Sequence, residues 1–261
     1  VPVLAVTWIA GPCVIEGESE TLALAERLSA LAAGAGVPFV FKASFLKANR
    51  SNARSPRGPG LDEGLRILAR VRSEVGAPVL TDVHETAEVA AVAEVADWLQ
   101  IPAFLCRQTP LIEAAAATGR AVNLKKGQFV SAPDMAFAVE KAAGASTVMV
   151  TERGTLFGPR ELVVDPRSLV ALGELGIPVC YDATHSVQVP GGGETAGARP
   201  LVLPLLRAAL AIGVDAVFSE VHPDPDRAWS DRATQWPLDR AGEIVALLAA
   251  ARASREVRPA R

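Results

Sequence analysis

Residues 76–96, GAPVLTDVHETAEVAAVAEVA, hold in one unit the pattern that decides the fold. A Gly-x-Pro turn introduces a short apolar run that ends on Asp82 and His84, and a stretch with apolar residues at helical period follows at once. The same unit recurs on both sides. GVPFVFK (36–42) precedes LDEGLRILARVRSEVG (61–76), and VPVLAVTWIA (1–10) precedes ETLALAERLSALAAG (20–34). Downstream, DWLQIP, AVNLKKG, STVMVTE, GIPVCYDATH and DAVFSEVH bring the strands to eight, with a helix readable after each. Continuous apolar strands separated by helices imply parallel strands buried on both faces. Eight such units in 261 residues predict an α/β fold, a (β/α)8 TIM barrel filling residues 1–261 as a single catalytic domain. A doubly wound open sheet is the rival, but a GxGxxG turn with a downstream acid is absent.

Composition narrows the function class. Half of the residues are hydrophobic and 21% charged, with a formal net charge of -3, which fits a globular protein and no nucleic-acid surface. No apolar run approaches the roughly 18 residues of a membrane span, and the first residues lack a positively charged leader, so a cytoplasmic protein with no membrane partner is expected. Three cysteines without a CxxC make no disulfide framework; each packs, reacts or binds a metal. Cys180, inside IPVCYD, reads as core, and packing is also favoured for Cys106.

Barrel enzymes build their sites at the C-terminal ends of the strands. Those ends carry Cys13 and Glu16, Lys42, Asp82 and His84, Gln100, Lys125, Arg153, Asp182 and His185, and Glu220 with His222. Any one of these reads most simply as a solvated loop charge, but so many converging on one mouth would need a ligand to compensate their burial. Lys42, Lys47, Arg50, Lys125 and Arg153, with Lys126 as a further candidate, suit phosphate or carboxylate groups, so a small phosphorylated substrate is expected. Cys13, His185, Glu220 and Asp231 combine a thiol, an imidazole and two carboxylates, a set suited to a divalent Zn, Fe, Mn or Co ion.

A run of motifs then carries a resemblance. GPC, FKASFLKANRS, RGPGLDEGL, TDVHE, QIPAFLCRQT, LKKGQF, ERGTLFG, LVVD, YDATHSVQ and SEVHPDPDRAWSDRATQWPL resemble the 3-deoxy-D-manno-octulosonate-8-phosphate synthase family over nearly the whole chain. The resemblance implies a homotetrameric barrel that condenses phosphoenolpyruvate with arabinose 5-phosphate and water, releasing phosphate, for lipopolysaccharide biosynthesis. It implies the metal-dependent class, because metal-independent members carry Asn where this chain has Cys13, and it matches Cys13, His185, Glu220 and Asp231 to the metal ligands. By the same resemblance Lys42, Ser44, Lys47, Gln100, Phe104, Lys125 and Arg153 hold phosphoenolpyruvate, with Asp82 and His84 in support. Asn49, Arg50 and Ser51 bind the aldose phosphate, and Arg57 and Arg107 help close the site at a subunit boundary. Lys47, Asn49, Asp82 and His185 form the implied catalytic set.

The chain departs from the family at SNARSP, SAPDM and PGGGETAGARP, which touches loop closure and sugar selectivity. A related synthase using erythrose 4-phosphate, DAHP synthase, is the nearest alternative; it typically has KPRTSP where this chain has KANRS, so Asn49 argues against it. A noncatalytic metabolite-binding barrel is the other, and it would be expected to have lost a ligand or a phosphate cation, whereas this chain keeps them all.

Overall fold

The computed structural model of the chain describes residues 6–49, 55–157, 162–189 and 196–256. Eight parallel strands run β1 (Thr7–Gly11), β2 (Phe39–Lys42), β3 (Val79–Asp82), β4 (Trp98–Ile101), β5 (Ala121–Lys125), β6 (Val148–Glu152), β7 (Val179–Asp182) and β8 (Ala216–His222). Each pairs with the next, and β8 pairs back to β1 from Thr7↔Ala216 to Gly11↔Glu220, so the sheet closes into a barrel. Helices α1 (Glu18–Gly34), α2 (Leu61–Arg70), α3 (Val89–Val95), α4 (Thr109–Ala117), α5 (Met135–Lys141), α6 (Pro166–Gly173), α7 (Val202–Ile212) and α8 (Ala241–Glu256) follow the strands in turn. All eight strands expected from the sequence are present.

The strand runs are apolar throughout because each face meets a different core. Successive side chains on a strand point to opposite faces. Ile9, Val40, Leu80, Met149, Cys180, Ala216 and Phe218 turn inward and fill the barrel. Their neighbours Trp8, Phe41, Val79, Leu99, Val122, Val150 and Val217 turn outward, into the larger core shared with the helices. A strand wetted on neither side has no use for polar alternation, which is why the pattern reads as a block.

One glycine has a steric reason. A Cβ on Gly11 would lie 2.1 Å from the carbonyl oxygen of Lys42, so a side chain there would force β1 and β2 apart where the site begins. Short pairings decorate the mouth: Thr155–Leu156 with Leu162–Val163, Gln188–Val189 with Ala196–Gly197, and Trp236–Pro237 beside the end of β8. No helix among the described residues is long and apolar enough to cross a membrane.

Candidate active site

The strand ends enclose a cavity of about 580 Å³, and its wall carries Lys42, Ser44, Lys47, Asn49, Asp82, His84, Gln100, Phe104, Lys125, Arg153, His185, Glu220 and Asp231. Thus residues scattered from position 42 to position 231 meet in one place. Two chemistries divide it.

On one side stands a thiol among carboxylates. Ligand atoms of Cys13, Glu220 and Asp231 lie within 4.8 Å of one another. Cys13 follows β1, Glu220 lies on β8, and Asp231 sits in the loop after β8 with a left-handed backbone (φ 49°). Among the described residues it is the only non-glycine with positive φ, a conformation that costs energy and recurs at functional positions. The Cys13 Sγ lies 3.0 Å from Asp231 Oδ2 and 3.1 Å from Ser230 Oγ, and the Lys47 ammonium approaches to 2.5 Å. Burial, reinforced by Glu220, pushes the thiol well above its ordinary range. The Asp231 carboxyl is held well below its own: burial would raise it, but Lys47 at 3.0 Å and His185 more than offset that.

His185 stands beside this trio. Its Nδ1 lies 2.8 Å from Asp182 Oδ2, and its Nε2 lies 3.4 Å from Glu220 Oε1. Asp182 remains ionised because His185 and Lys125 outweigh its burial, so it can only accept, and the Nδ1 proton belongs to that bond. The Nε2 faces Glu220 Oε1, an oxygen that Lys42 also reaches at 3.3 Å. Glu220 Oε2 is also buried without a hydrogen-bond partner. A sulfur, an imidazole nitrogen fixed from behind and an orphaned carboxylate oxygen suit a borderline divalent cation; three of the four residues named from the sequence, Cys13, Glu220 and Asp231, bring their ligand atoms together, and His185 stands beside them.

The other side is cationic. Lys42 is buried between Glu220 Oε1 at 3.3 Å and Asp82 Oδ2 at 3.8 Å, and donates to the Cys13 carbonyl at 3.0 Å. Burial would lower its pKa, but the two carboxylates more than offset it and the group is held charged. Lys125 pairs with Asp182, and its Nζ lies 3.4 Å from the centroid of the Phe218 ring. Burial outweighs Asp182 there and lowers the Lys125 pKa. Arg153 donates to Gln188 Oε1 at 2.5 Å, and Gln188 Nε2 donates onward to Asp231 Oδ1 at 2.8 Å, so one amide links the two halves.

A buried polar chain supports the cations. Ser44 and Gln100 both donate to Asp82, the latter at 2.7 Å; Asn123 donates to Gln100 at 2.8 Å, and Thr151 to Asn123 at 2.7 Å. Phe218, Gln188, Asn123 and Thr151 carry no signal of this in the sequence, since each sits in a stretch that reads as strand or loop.

Other expectations resolve differently. Lys126 does not join the anion cluster: it is fully buried beneath the loops, donating to the carbonyls of Gly127 and Val130 and to Thr155, 3.6 Å from Glu152. Consecutive strand-end residues point to opposite faces, so with Lys125 inward Lys126 is outward. Glu16 and His222 pair at 3.5 Å in a separate, smaller cavity outside the main one. Asn49 and Phe104 are exposed at the rim. Arg57 and Arg107 are exposed and do not line the cavity. Arg50 and Ser51 lie outside the described residues. Cys106 and Cys180 are buried and packed.

Buried cations and a carboxylate-thiol cluster at the C-terminal mouth of a closed parallel barrel define a barrel enzyme for small anionic substrates. The chain belongs to the DAHP synthetase I family, whose sequence profile matches residues 4–252. It is 56% identical over 239 residues to the 2-dehydro-3-deoxyphosphooctonate aldolase of Syntrophotalea carbinolica, covering 90% of this chain and 86% of that one. The protein of the same name from Methylococcus capsulatus is 55% identical over 244 residues, covering 92% and 86%. That of a Synechococcus species is 57% identical over 229 residues, covering 86% and 81%.

Proposed function

We propose that the chain is a 2-dehydro-3-deoxyphosphooctonate aldolase, acting as a synthase on phosphoenolpyruvate, arabinose 5-phosphate and water. Carbon 3 of the enol bonds to the aldehyde carbon, the aldehyde oxygen takes a proton, and the water oxygen adds at carbon 2. That carbon then expels inorganic phosphate, leaving a keto group. The identities above 50% with relatives of that name over most of both chains carry the proposal. The site chemistry agrees with it.

Lys42, Lys125 and Arg153 offer three buried cations to the phosphate and carboxylate of the enol substrate. Gln100 adds an N–H, and Asp82 holds Lys42 in place. Such fixed groups stabilise developing charge without reorganising, the largest contribution most enzymes make. The aldehyde end would lie toward Lys47, Asn49 and His185, with the aldose phosphate reaching Arg50 and Ser51. His185, held through Nδ1 by Asp182, keeps its Nε2 turned toward that end of the cavity. We further propose that Cys13, His185, Glu220 and Asp231 hold a divalent Zn, Fe, Mn or Co ion. Bound there, such an ion supplies Lewis acidity beside the carbonyl and the water.

Assembly as a homotetramer is part of the same proposal, with Arg57 and Arg107 at the boundary between copies. Phe104, Phe129 and Phe157 are each more than half exposed, the last two on segments joined by the Leu156 N–H to Gln128 carbonyl bond, apolar surface suited to a second copy. Cytoplasmic residence in lipopolysaccharide synthesis fits the same reading.

The test is phosphate release with phosphoenolpyruvate and a panel of aldose phosphates. Arabinose 5-phosphate should be turned over far better than erythrose 4-phosphate. Equal or better use of erythrose 4-phosphate would move the chain to the other branch of its family, and binding without turnover would leave a metabolite-binding barrel.

A further inference from the structure

Asn123 on β5 and Thr151 on β6 are wholly buried, do not line the cavity, and lie between the apolar residues that fill the barrel and the charged groups Lys125 and Arg153 two residues further along the chain. Their hydrogen bonds all run one way. Thr151 Oγ1 donates to Asn123 Oδ1, Asn123 Nδ2 donates to Gln100 Oε1, and Gln100 Nε2 donates to Asp82 Oδ1. The distances are 2.7, 2.8 and 2.7 Å, so none is marginal.

The direction has a cause at each end. An ionised Asp82 can only accept, so it demands the NH2 end of Gln100. An amide has one donor end and one acceptor end, so Gln100 must then turn its oxygen toward Asn123, and Asn123 its own toward a hydroxyl. Thr151 supplies that hydroxyl, which also lies within hydrogen-bonding reach of the Cys180 thiol. With Oε1 consumed inside the wall, Gln100 has one N–H left, and that is what the cavity receives. Were the amide reversed, its oxygen would face both the Asp82 carboxylate and the incoming anion.

We propose that Asn123 and Thr151 are positioning residues that fix Gln100 as a hydrogen-bond donor toward the anionic substrate. The proposal rests on the reading of phosphoenolpyruvate as that substrate. Neither residue touches the substrate; each acts through the amide of Gln100.

The experiment measures phosphoenolpyruvate binding by calorimetry, alongside KM and kcat, in wild type, Thr151→Ser, Thr151→Val, Gln100→Ala and the Gln100→Ala/Thr151→Val pair. Thr151→Val should weaken binding and raise KM by up to about tenfold, the scale of one hydrogen bond to a charged group. Its kcat should change much less. Thr151→Ser, which keeps the hydroxyl, should bind like wild type. In the Gln100→Ala background Thr151→Val should have no further effect, because there is no amide left to orient. A packing role predicts the same loss in both backgrounds, and that result, or unchanged binding in Thr151→Val, overturns the proposal.

Should Thr151→Val fail to fold, Asn123→Leu/Thr151→Val removes both partners of that bond and leaves only Gln100 Oε1 without its donor, which frees the amide to turn. The same weakening is expected of it, and wild-type binding by it overturns the proposal equally. Inorganic phosphate is titrated in parallel. If wild type takes phosphate and not phosphoenolpyruvate, the substrate reading fails, while the phosphate series across the variants still decides what the chain of hydrogen bonds does.

Discussion

Lys125 rests its ammonium against the face of Phe218, 3.4 Å from the ring centroid, while the same ring lies 5.5 Å from Lys42. One buried aromatic thus stands under two of the three cations proposed to hold the enol substrate. A desolvated cation over an aromatic face gains about 2 kcal/mol, a factor of roughly 30 in binding. Phe218→Leu should therefore raise KM for phosphoenolpyruvate by about tenfold or more with KM for the aldose phosphate much less affected. Steady-state kinetics with each substrate varied in turn would show it. Equal changes in both would argue for a general disturbance of the barrel interior.

Gln188 ties Arg153 to Asp231, so its loss should be felt on both sides of the cavity. Groups that orient a metal ligand from behind are worth about 10- to 100-fold in metal affinity or activity. Gln188→Leu should lower metal content after dialysis against a chelator and raise KM for phosphoenolpyruvate together. Metal content equal to wild type would separate Asp231 from the ion.

Cys13 answers most directly for the proposed metal. Chelation should abolish phosphate release, and Mn, Co, Fe or Zn should restore it to differing degrees. Cys13→Ala should lose bound metal and activity alike, whereas Cys13→Asn keeps a polar group of similar size and should retain measurable turnover with a chelator present. Metal bound undiminished in Cys13→Ala would remove the thiol from the site.

Asp82 should show itself in the pH dependence of stability. Burial would raise its pKa, but Lys42, His84 and the bonds from Ser44 and Gln100 lower it from 3.8 to about 2. A depressed folded-state value stabilises the fold above the unfolded pKa, so the contribution, roughly 2 kcal/mol, is complete above about pH 4 and is lost as pH falls through about 2. Denaturant unfolding of wild type and Asp82→Asn should differ most near neutrality and converge as pH falls from 4 to 2. A difference that stays constant across that window would contradict the assignment.

Lys126 and Glu152 form a buried pair whose disruption should cost more than its removal. Burial lowers the lysine pKa and raises the carboxyl, each partly offset by the other. Lys126→Met should destabilise the protein by about 3 kcal/mol, since it strands a buried carboxyl. Lys126→Met/Glu152→Gln should recover part of that loss. Urea midpoints of the three proteins decide it, and a double variant worse than the single one would refute the pairing.

The fold was legible because strands buried on both faces leave a continuous apolar signature, and all eight did. The site was legible where a strand ended on a group that burial would penalise, as at Lys42, Asp82, Lys125, Asp182 and Glu220. It failed for Lys126 because adjacent lysines look alike in one dimension and face opposite ways on a strand. Asn123 and Thr151 were hidden for a related reason: a polar residue within AVNLKK or VMVTE reveals nothing of a partner on the next strand. Phe218 passed as core, which it is, although the cations on its face give it a second role.

The closing pairs of β1 and β8 bring Gly11 alongside Glu220, and with them Cys13 beside Asp231. The thiol-carboxylate cluster therefore lies on the seam of the barrel, shared between its first strand and its last. A chain emerging from the ribosome makes the thiol with the first strand and gains its carboxylate partners only when the eighth strand is made. No half-built barrel can offer the full set of donors, so the metal capture proposed above would wait until the ring has shut, and a bound ion would report that the first and last strands have met.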